Sequence, residues 1–122
     1  MKKYYPYKSD KAGKKFYIIT NDNKKVYFGA TGYEHYTEGH LDERRKWAYI
    51  SRHRTNENWR DPDTAGFWAF HYLWLEPTYE KAYKKFKKKT KSLKVFNNIF
   101  LVLLFSNIFD TSIPSLLIFL SI

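Results

Sequence analysis

The stretch TAGFWAFHYLW, residues 64–74, limits the possible folds of this chain more than any other segment. Its large apolar side chains would cover all sides of a helix, which is typical of a buried helix. Its eleven residues are too few to cross a bilayer, which needs about 20. We therefore predict that this stretch forms an aromatic core. Exposure of one or two of Trp59, Trp68 and Trp74 for base stacking remains the alternative.

Charge divides the chain into two regions. All 22 Lys and Arg lie in residues 1–94, whereas residues 95–122 hold a single charged residue, Asp110. We predict a basic folded body over residues 1–94 and a hydrophobic tail over residues 95–122. The net charge of +10 indicates attraction to phosphate backbones, anionic lipids or acidic proteins, without deciding among them.

Several classes of site are excluded or disfavoured by composition. The chain has no cysteine, which rules out disulfides, thiol nucleophiles and thiolate metal sites. Its four histidines lack the spacing of a zinc site, so we predict no metal and no cofactor. The amino terminus, MKKYYPYKSD, lacks the apolar run of a secretory signal, and we expect no export by that route.

A β-hairpin is predicted near the amino terminus. Residues 16–20 and 25–29 are rich in β-branched and aromatic side chains, and the four residues between them, NDNK, favour a turn. The preceding segment YYPYKSD is compatible with a third strand at the sheet edge, where Pro6 is tolerated.

Three helices are predicted after the hairpin. Residues 40–54 have acids near their start and bases near their end, the order that complements a helix dipole. The aromatic stretch forms the second helix, and a third begins at Pro77. The expected fold class is α+β: an N-terminal hairpin of two or three strands packed on about three helices, followed by the tail.

Two basic clusters are candidate binding surfaces. The first comprises Arg44, Arg45, Lys46, Arg52 and Arg54, and the second Lys84, Lys85, Lys87, Lys88, Lys89 and Lys91. Each cluster alone is equally well explained as a solvated face. Together on a small body they favour contact with a polyanion, and no motif for reading base sequence accompanies them.

The hairpin also resembles a catalytic motif. FYI, ten residues before YFG, is similar to the paired strands of GIY-YIG nucleases. The resemblance implies a site formed by Tyr17 and Tyr27, by Arg44 or Arg45 as the phosphate-stabilising arginine, and by Glu80 as a metal-binding carboxylate. FYI lacks the glycine of the GIY motif. The same residues also suit an ordinary hairpin with cross-strand aromatic pairs.

A broader resemblance covers about residues 3–88. The succession RHR, NW, DP, TAGFW and LW resembles a family of small, basic, functionally uncharacterised proteins encoded by giant DNA viruses and some phages. It implies a location in the virion or in the cytoplasm of an infected cell. We expect a non-enzymatic, virion-associated protein that binds nucleic acid or an acidic viral structural protein. A nucleic-acid binder with GIY-YIG-like nuclease activity or ancestry is the alternative.

The tail has no counterpart in that resemblance. Residues 95–122 are long enough to span a membrane, but Asn107, Asp110 and Pro114 interrupt the apolar run. Insertion in a membrane, packing against a neighbouring chain in an assembly, and an unstructured extension remain three alternatives.

Overall fold

The computed structural model describes the backbone of residues 1–109 and the side chains of residues 1–106. Contacts divide the chain into two units, Met1–Lys84 and a second that begins at Lys85. The first unit contains an antiparallel sheet packed against helices, so the predicted α+β fold is confirmed. The boundary between residues 94 and 95, predicted from composition, stays a prediction.

The sheet has three antiparallel strands in the order β1 (Tyr7–Lys8), β2 (Lys14–Ile19) and β3 (Lys25–Ala30). β2 and β3 form the predicted hairpin, and β1 is the short edge strand that follows Pro6. In the turn of the hairpin, Asn23 has a φ of 63°, a left-handed conformation that asparagine adopts more readily than most residues.

The aromatic stretch forms the core, as predicted. Trp68 and Phe28 are each only 1% exposed, and their ring centroids lie 6.0 Å apart. Tyr72, also buried, contacts Phe28 edge to face. The indole N–H of Trp68 donates to the carbonyl oxygen of Pro62 at 2.8 Å, which satisfies the one polar group of this buried ring.

The first helix, α1, spans Glu43–His53 and is shorter than predicted. Leu41 has a φ of 52°, which interrupts helical geometry, and the Asp42 carboxylate then accepts the backbone N–H groups of Arg44 and Arg45. This cap starts α1 three residues after the predicted position. A single wide turn, Tyr36–His40, precedes it.

The second helix begins as α2 (Ala65–Trp68) and continues with π-helical geometry through Ala69–Trp74. The Thr64 hydroxyl accepts the backbone N–H of Phe67, as expected for a cap. The third helix, α3, spans Tyr79–Phe109. It begins two residues after Pro77 because the Thr78 hydroxyl accepts the N–H of Lys81.

Within residues 1–109, no helix is both long and apolar enough to cross a membrane. Several large apolar side chains of α3 are exposed, among them Phe96, Ile99 and Val102. Residues 110–122 lie outside the described part of the chain, so the predicted anchoring role of the tail stays a prediction.

A polar network joins β2 to the loop after β3 and to the start of α3. The Lys15 ammonium donates to the carbonyl oxygen of Tyr33 and to His35 Nδ1, the latter at 2.7 Å. Since an ammonium group can only donate, Nδ1 accepts, and His35 Nε2 donates to the Tyr79 hydroxyl oxygen at 2.6 Å. Burial and the charge of Lys15 lower the pKa of His35 to about 4, which keeps its ring neutral.

Candidate nucleic-acid interface

One side of α1 presents arginines to solvent. At about 100° of rotation per residue, the exposed residues of α1 and its C-cap fall within about half of the helix circumference. We call this the arginine face; it comprises Arg44, Arg45, Trp47, Arg52 and Arg54. The exposed acid Glu43 lies at the edge of this arc, where its carboxylate accepts the Tyr36 hydroxyl and pairs with Lys46.

The rotation of α1 is fixed by its opposite side. Tyr49 is buried and stacks on Trp74 with ring centroids 4.5 Å apart and an angle of 4° between the planes. Lys46 also points inward, where its ammonium donates to the carbonyl oxygen of Leu75 at 3.0 Å. Lys46 was grouped with the first basic cluster in the sequence, but the structure separates it from the arginines.

Trp47 is the exposed tryptophan, at 59%. The three tryptophans suggested for base stacking lie elsewhere: Trp68 is in the core, Trp74 stacks on Tyr49, and Trp59 stacks on Phe70 at 3.9 Å. The suggested assignment was therefore wrong. The spacing of Trp47, three residues after Arg44 and seven before Arg54, was the available signal, because it places the ring beside both arginines on a helix.

The arginine face is not neutralised by the part of the chain that the structure describes. The ion pairs within residues 1–106 include Lys25 with Asp10, Lys46 with Glu43 and Lys84 with Glu80, and none involves an arginine of the face. The guanidinium groups of the arginine face therefore have no carboxylate partner in the described part of the chain, and the Trp47 ring makes no contact with another ring there. The face combines unpaired positive charge with an accessible aromatic surface.

Comparison with protein-family models finds a match that includes this helix. Residues 7–53 match the model of DUF5754, a family of unknown function. The matched segment extends from the edge strand to the last residue of α1 and includes three of the four arginines of the arginine face. No curated protein and no solved structure shows significant similarity to the chain.

The second basic cluster lies outside the matched segment, on α3. Its lysines are exposed along residues 84–91. Lys84 forms an ion pair of 3.4 Å with Glu80, and both side chains are more than two-thirds exposed. Such an exposed pair contributes little to stability. Lys84 belongs to the first unit, and the lysines from Lys85 onward belong to the second.

The residues of the nuclease resemblance are only partly brought together. Tyr17 and Tyr27 face each other across β2 and β3, with ring centroids 5.6 Å apart. The Tyr27 hydroxyl donates to Asp10 at 2.7 Å, a hydrogen bond that raises the pKa of Tyr27. Within residues 1–106, no hydrogen bond or ion pair joins either tyrosine to Arg44 or Glu80.

The described part of the chain also lacks a cluster of side chains able to hold a metal ion. Glu80, the suggested metal ligand, is exposed and paired with Lys84. Within the described residues, the carboxylate that the nuclease resemblance requires is therefore not accompanied by further metal ligands.

Proposed function

We propose that this protein binds nucleic acid without acting on it chemically, and that the arginine face of α1 is the contact surface. The observation that carries the proposal is the placement of unpaired arginines and an exposed tryptophan on one side of a short, well-anchored helix. Guanidinium groups bind phosphate with two parallel hydrogen bonds, and a tryptophan ring stacks on bases of any sequence.

Single-stranded nucleic acid is the preferred ligand. In a duplex the bases are already stacked and only phosphates are offered, so Trp47 would contribute little. In a single strand the same ring can stack on a base while the neighbouring arginines bind the backbone. An acidic protein would satisfy the charges of the face but would give Trp47 no comparable role.

The size of the face sets the expected salt dependence. Arg44 and Arg54 are separated by about 15 Å along the helix, at about 1.5 Å per residue. If the four arginines each neutralise a phosphate, log K should fall against log salt concentration with a slope of about −3 for a single strand. The arginine face by itself should discriminate little among base sequences, since its contacts are with charge and ring faces.

The test is fluorescence anisotropy of the full chain with labelled oligo-dT and with a duplex. The variant Arg44→Glu/Arg52→Glu should bind oligo-dT at least tenfold more weakly. A matched control is Lys8→Glu/Lys24→Glu, which changes net charge equally at exposed positions on and beside the sheet. Equal losses in the two variants would mean that binding depends on net charge alone, and no binding at low salt would refute the proposal.

A second, more specific proposal concerns the biological setting of the protein. The resemblance to proteins of giant DNA viruses and phages supports a virion-associated role, with the tail at residues 95–122 joining a membrane or capsid layer. In that setting an acidic viral structural protein is the competing partner. Peptide mass spectrometry of purified virions is the test: the protein should be recovered with the particles, and its confinement to the infected-cell cytoplasm would overturn this role.

A further inference from the structure

A cavity of about 440 Å³ lies between the sheet and the inner side of α1. Phe28, Leu73 and Trp74 provide apolar walls, and all of its lining residues belong to the first unit. A volume in this range and a mainly apolar lining with a few polar groups are typical of small-molecule sites. The cavity shares α1 with the arginine face but lies on the other side of the helix.

Three polar side chains line one wall at intervals of four residues: Tyr49, His53 and Glu57. His53 Nδ1 donates to the Tyr49 carbonyl oxygen at 2.9 Å, which leaves Nε2 for a ligand. Within residues 1–106, the Tyr49 hydroxyl and the Glu57 carboxylate have no hydrogen-bond or ion-pair partner. These two groups are therefore available to hydrogen-bond a ligand in the cavity.

The position of Glu57 depends on Gly66. A Cβ atom at residue 66 would overlap the Glu57 carboxylate, so only glycine allows the carboxylate to lie against the backbone there. An unpaired carboxylate is notable in a protein with a net charge of +10. Its presence beside the cavity favours a ligand that offers N–H donors.

The aromatic surroundings favour a flat ligand. Trp74, Tyr49 and His53 form a continuous stack, with ring centroids 4.5 Å apart in the first pair and 4.2 Å in the second. Lys14, which is exposed, also lines the cavity and offers an ammonium group for a phosphate. Flat rings, a carboxylate acceptor and a lysine together match the chemistry of a nucleotide.

We propose that this cavity binds one unstacked nucleobase, with guanine preferred, while Lys14 contacts the attached phosphate. Guanine offers two adjacent donors, N1–H and the N2 amino group, which a carboxylate can accept with both oxygens. Cytosine and adenine offer only their amino group at the corresponding edge. The proposal rests on the proposed function, because the arginine face would hold the strand from which the base enters.

The first experiment titrates the full chain with GMP, AMP, CMP and UMP, monitored by two-dimensional NMR. GMP should bind at least fivefold more tightly than the others, with shifts at Tyr49, His53 and Glu57. Glu57→Gln should weaken GMP binding at least tenfold. The matched control, Asp22→Asn, removes an exposed acid in the β2–β3 turn and should leave GMP binding unchanged. Equal affinities for the four nucleotides, or shifts confined to exposed lysines, would overturn the proposal.

A second experiment separates the two proposals. Glu57→Gln should leave oligo-dT binding unchanged but remove any preference for a strand containing guanine, whereas Arg44→Glu/Arg52→Glu should weaken both strands and spare GMP. Tight oligo-dT binding without GMP binding would refute the base pocket alone. GMP binding without binding of any strand would refute the proposed function and leave a site for a free nucleotide.

Discussion

Trp68 is the largest fully buried side chain among the described residues. It is 1% exposed, and its indole N–H is bonded to the Pro62 carbonyl oxygen. Trp68→Ala should lower the free energy of unfolding by about 3–5 kcal/mol, because truncation of a buried tryptophan leaves a cavity. Urea denaturation followed by circular dichroism measures this loss. A change below about 1 kcal/mol would contradict the assigned core.

Replacing Trp47 by alanine should weaken binding and leave stability almost unchanged, in contrast to Trp68→Ala. Because its ring is 59% exposed, Trp47→Ala should change the free energy of unfolding by less than about 1 kcal/mol. The free energy of binding to oligo-dT should become weaker by about 1–3 kcal/mol in this variant, the usual contribution of one stacked base. Anisotropy titration measures the affinity. Unchanged binding of a folded Trp47→Ala variant would remove the stacking role.

His35 should make stability depend on pH. Its pKa is lowered from 6.5 to about 4, so below pH 6.5 the unfolded chain binds a proton that the folded chain does not. The stabilisation is complete above pH 6.5 and is lost as the pH falls towards 4. Partial exposure of the ring to solvent reduces the effect to about 1–2 kcal/mol.

The measurement for His35 is urea denaturation at pH 7, 6, 5 and 4. Comparison with His35→Gln isolates this residue from the carboxylates that titrate at the acid end. The variant should show a smaller fall in stability between pH 6.5 and 4. Parallel curves for the two proteins would show that His35 is not the responsible group.

At the level of elements, local sequence was sufficient for the hairpin and for the identity of the helices. The turn around Asn23 and the acids at the start of α1 act over a few residues, so their effects can be recognised without the fold. The rotation of α1 could not be inferred in this way. It depends on the stacking of Tyr49 on Trp74, which are 25 positions apart in the sequence.

The cavity could not be predicted from the sequence either, because it too depends on contacts between distant segments. Glu57 and Gly66 lie in different segments, and their close packing appears only when the loop after α1 folds back on α2. Neither residue belongs to a motif that would indicate a binding site. The arginines were grouped with Lys46 from the sequence, and their separation from it required the structure; their role in binding stays a prediction.

The apolar part of α3 leads to a prediction for the tail. Ile99 and Val102 are 56% and 64% exposed, which leaves them available to a lipid surface or a neighbouring chain. If the tail is a membrane anchor, the full chain should float with vesicles of neutral and anionic lipid. Ile99→Asp/Val102→Asp should abolish flotation, because charged side chains are costly in the bilayer. Flotation that persists only with anionic vesicles would indicate charge attraction instead.

For the whole molecule, the decisive prediction concerns catalysis. Incubated with plasmid DNA and Mg²⁺ or Mn²⁺, the full chain should retard the DNA without nicking it. The reason is that the Tyr27 hydroxyl is hydrogen-bonded to Asp10 and that Glu80 forms an ion pair with Lys84. In addition, residues 1–106 contain no cluster of side chains able to hold a metal ion. Gel electrophoresis is the measurement. Nicking that disappears in folded Tyr27→Phe and Glu80→Gln variants would establish a nuclease.

The stacking of Tyr49 on Trp74 also means that the segment matched by the DUF5754 model should not fold on its own. The domain match ends at His53, but the aromatic ring that covers the inner side of α1 lies 21 residues later. Phe28 likewise depends on Trp68 and Tyr72 for its cover. A fragment limited to residues 7–53 would therefore expose its core side chains. Any relative that carries this segment in a different chain must provide an equivalent aromatic partner from elsewhere.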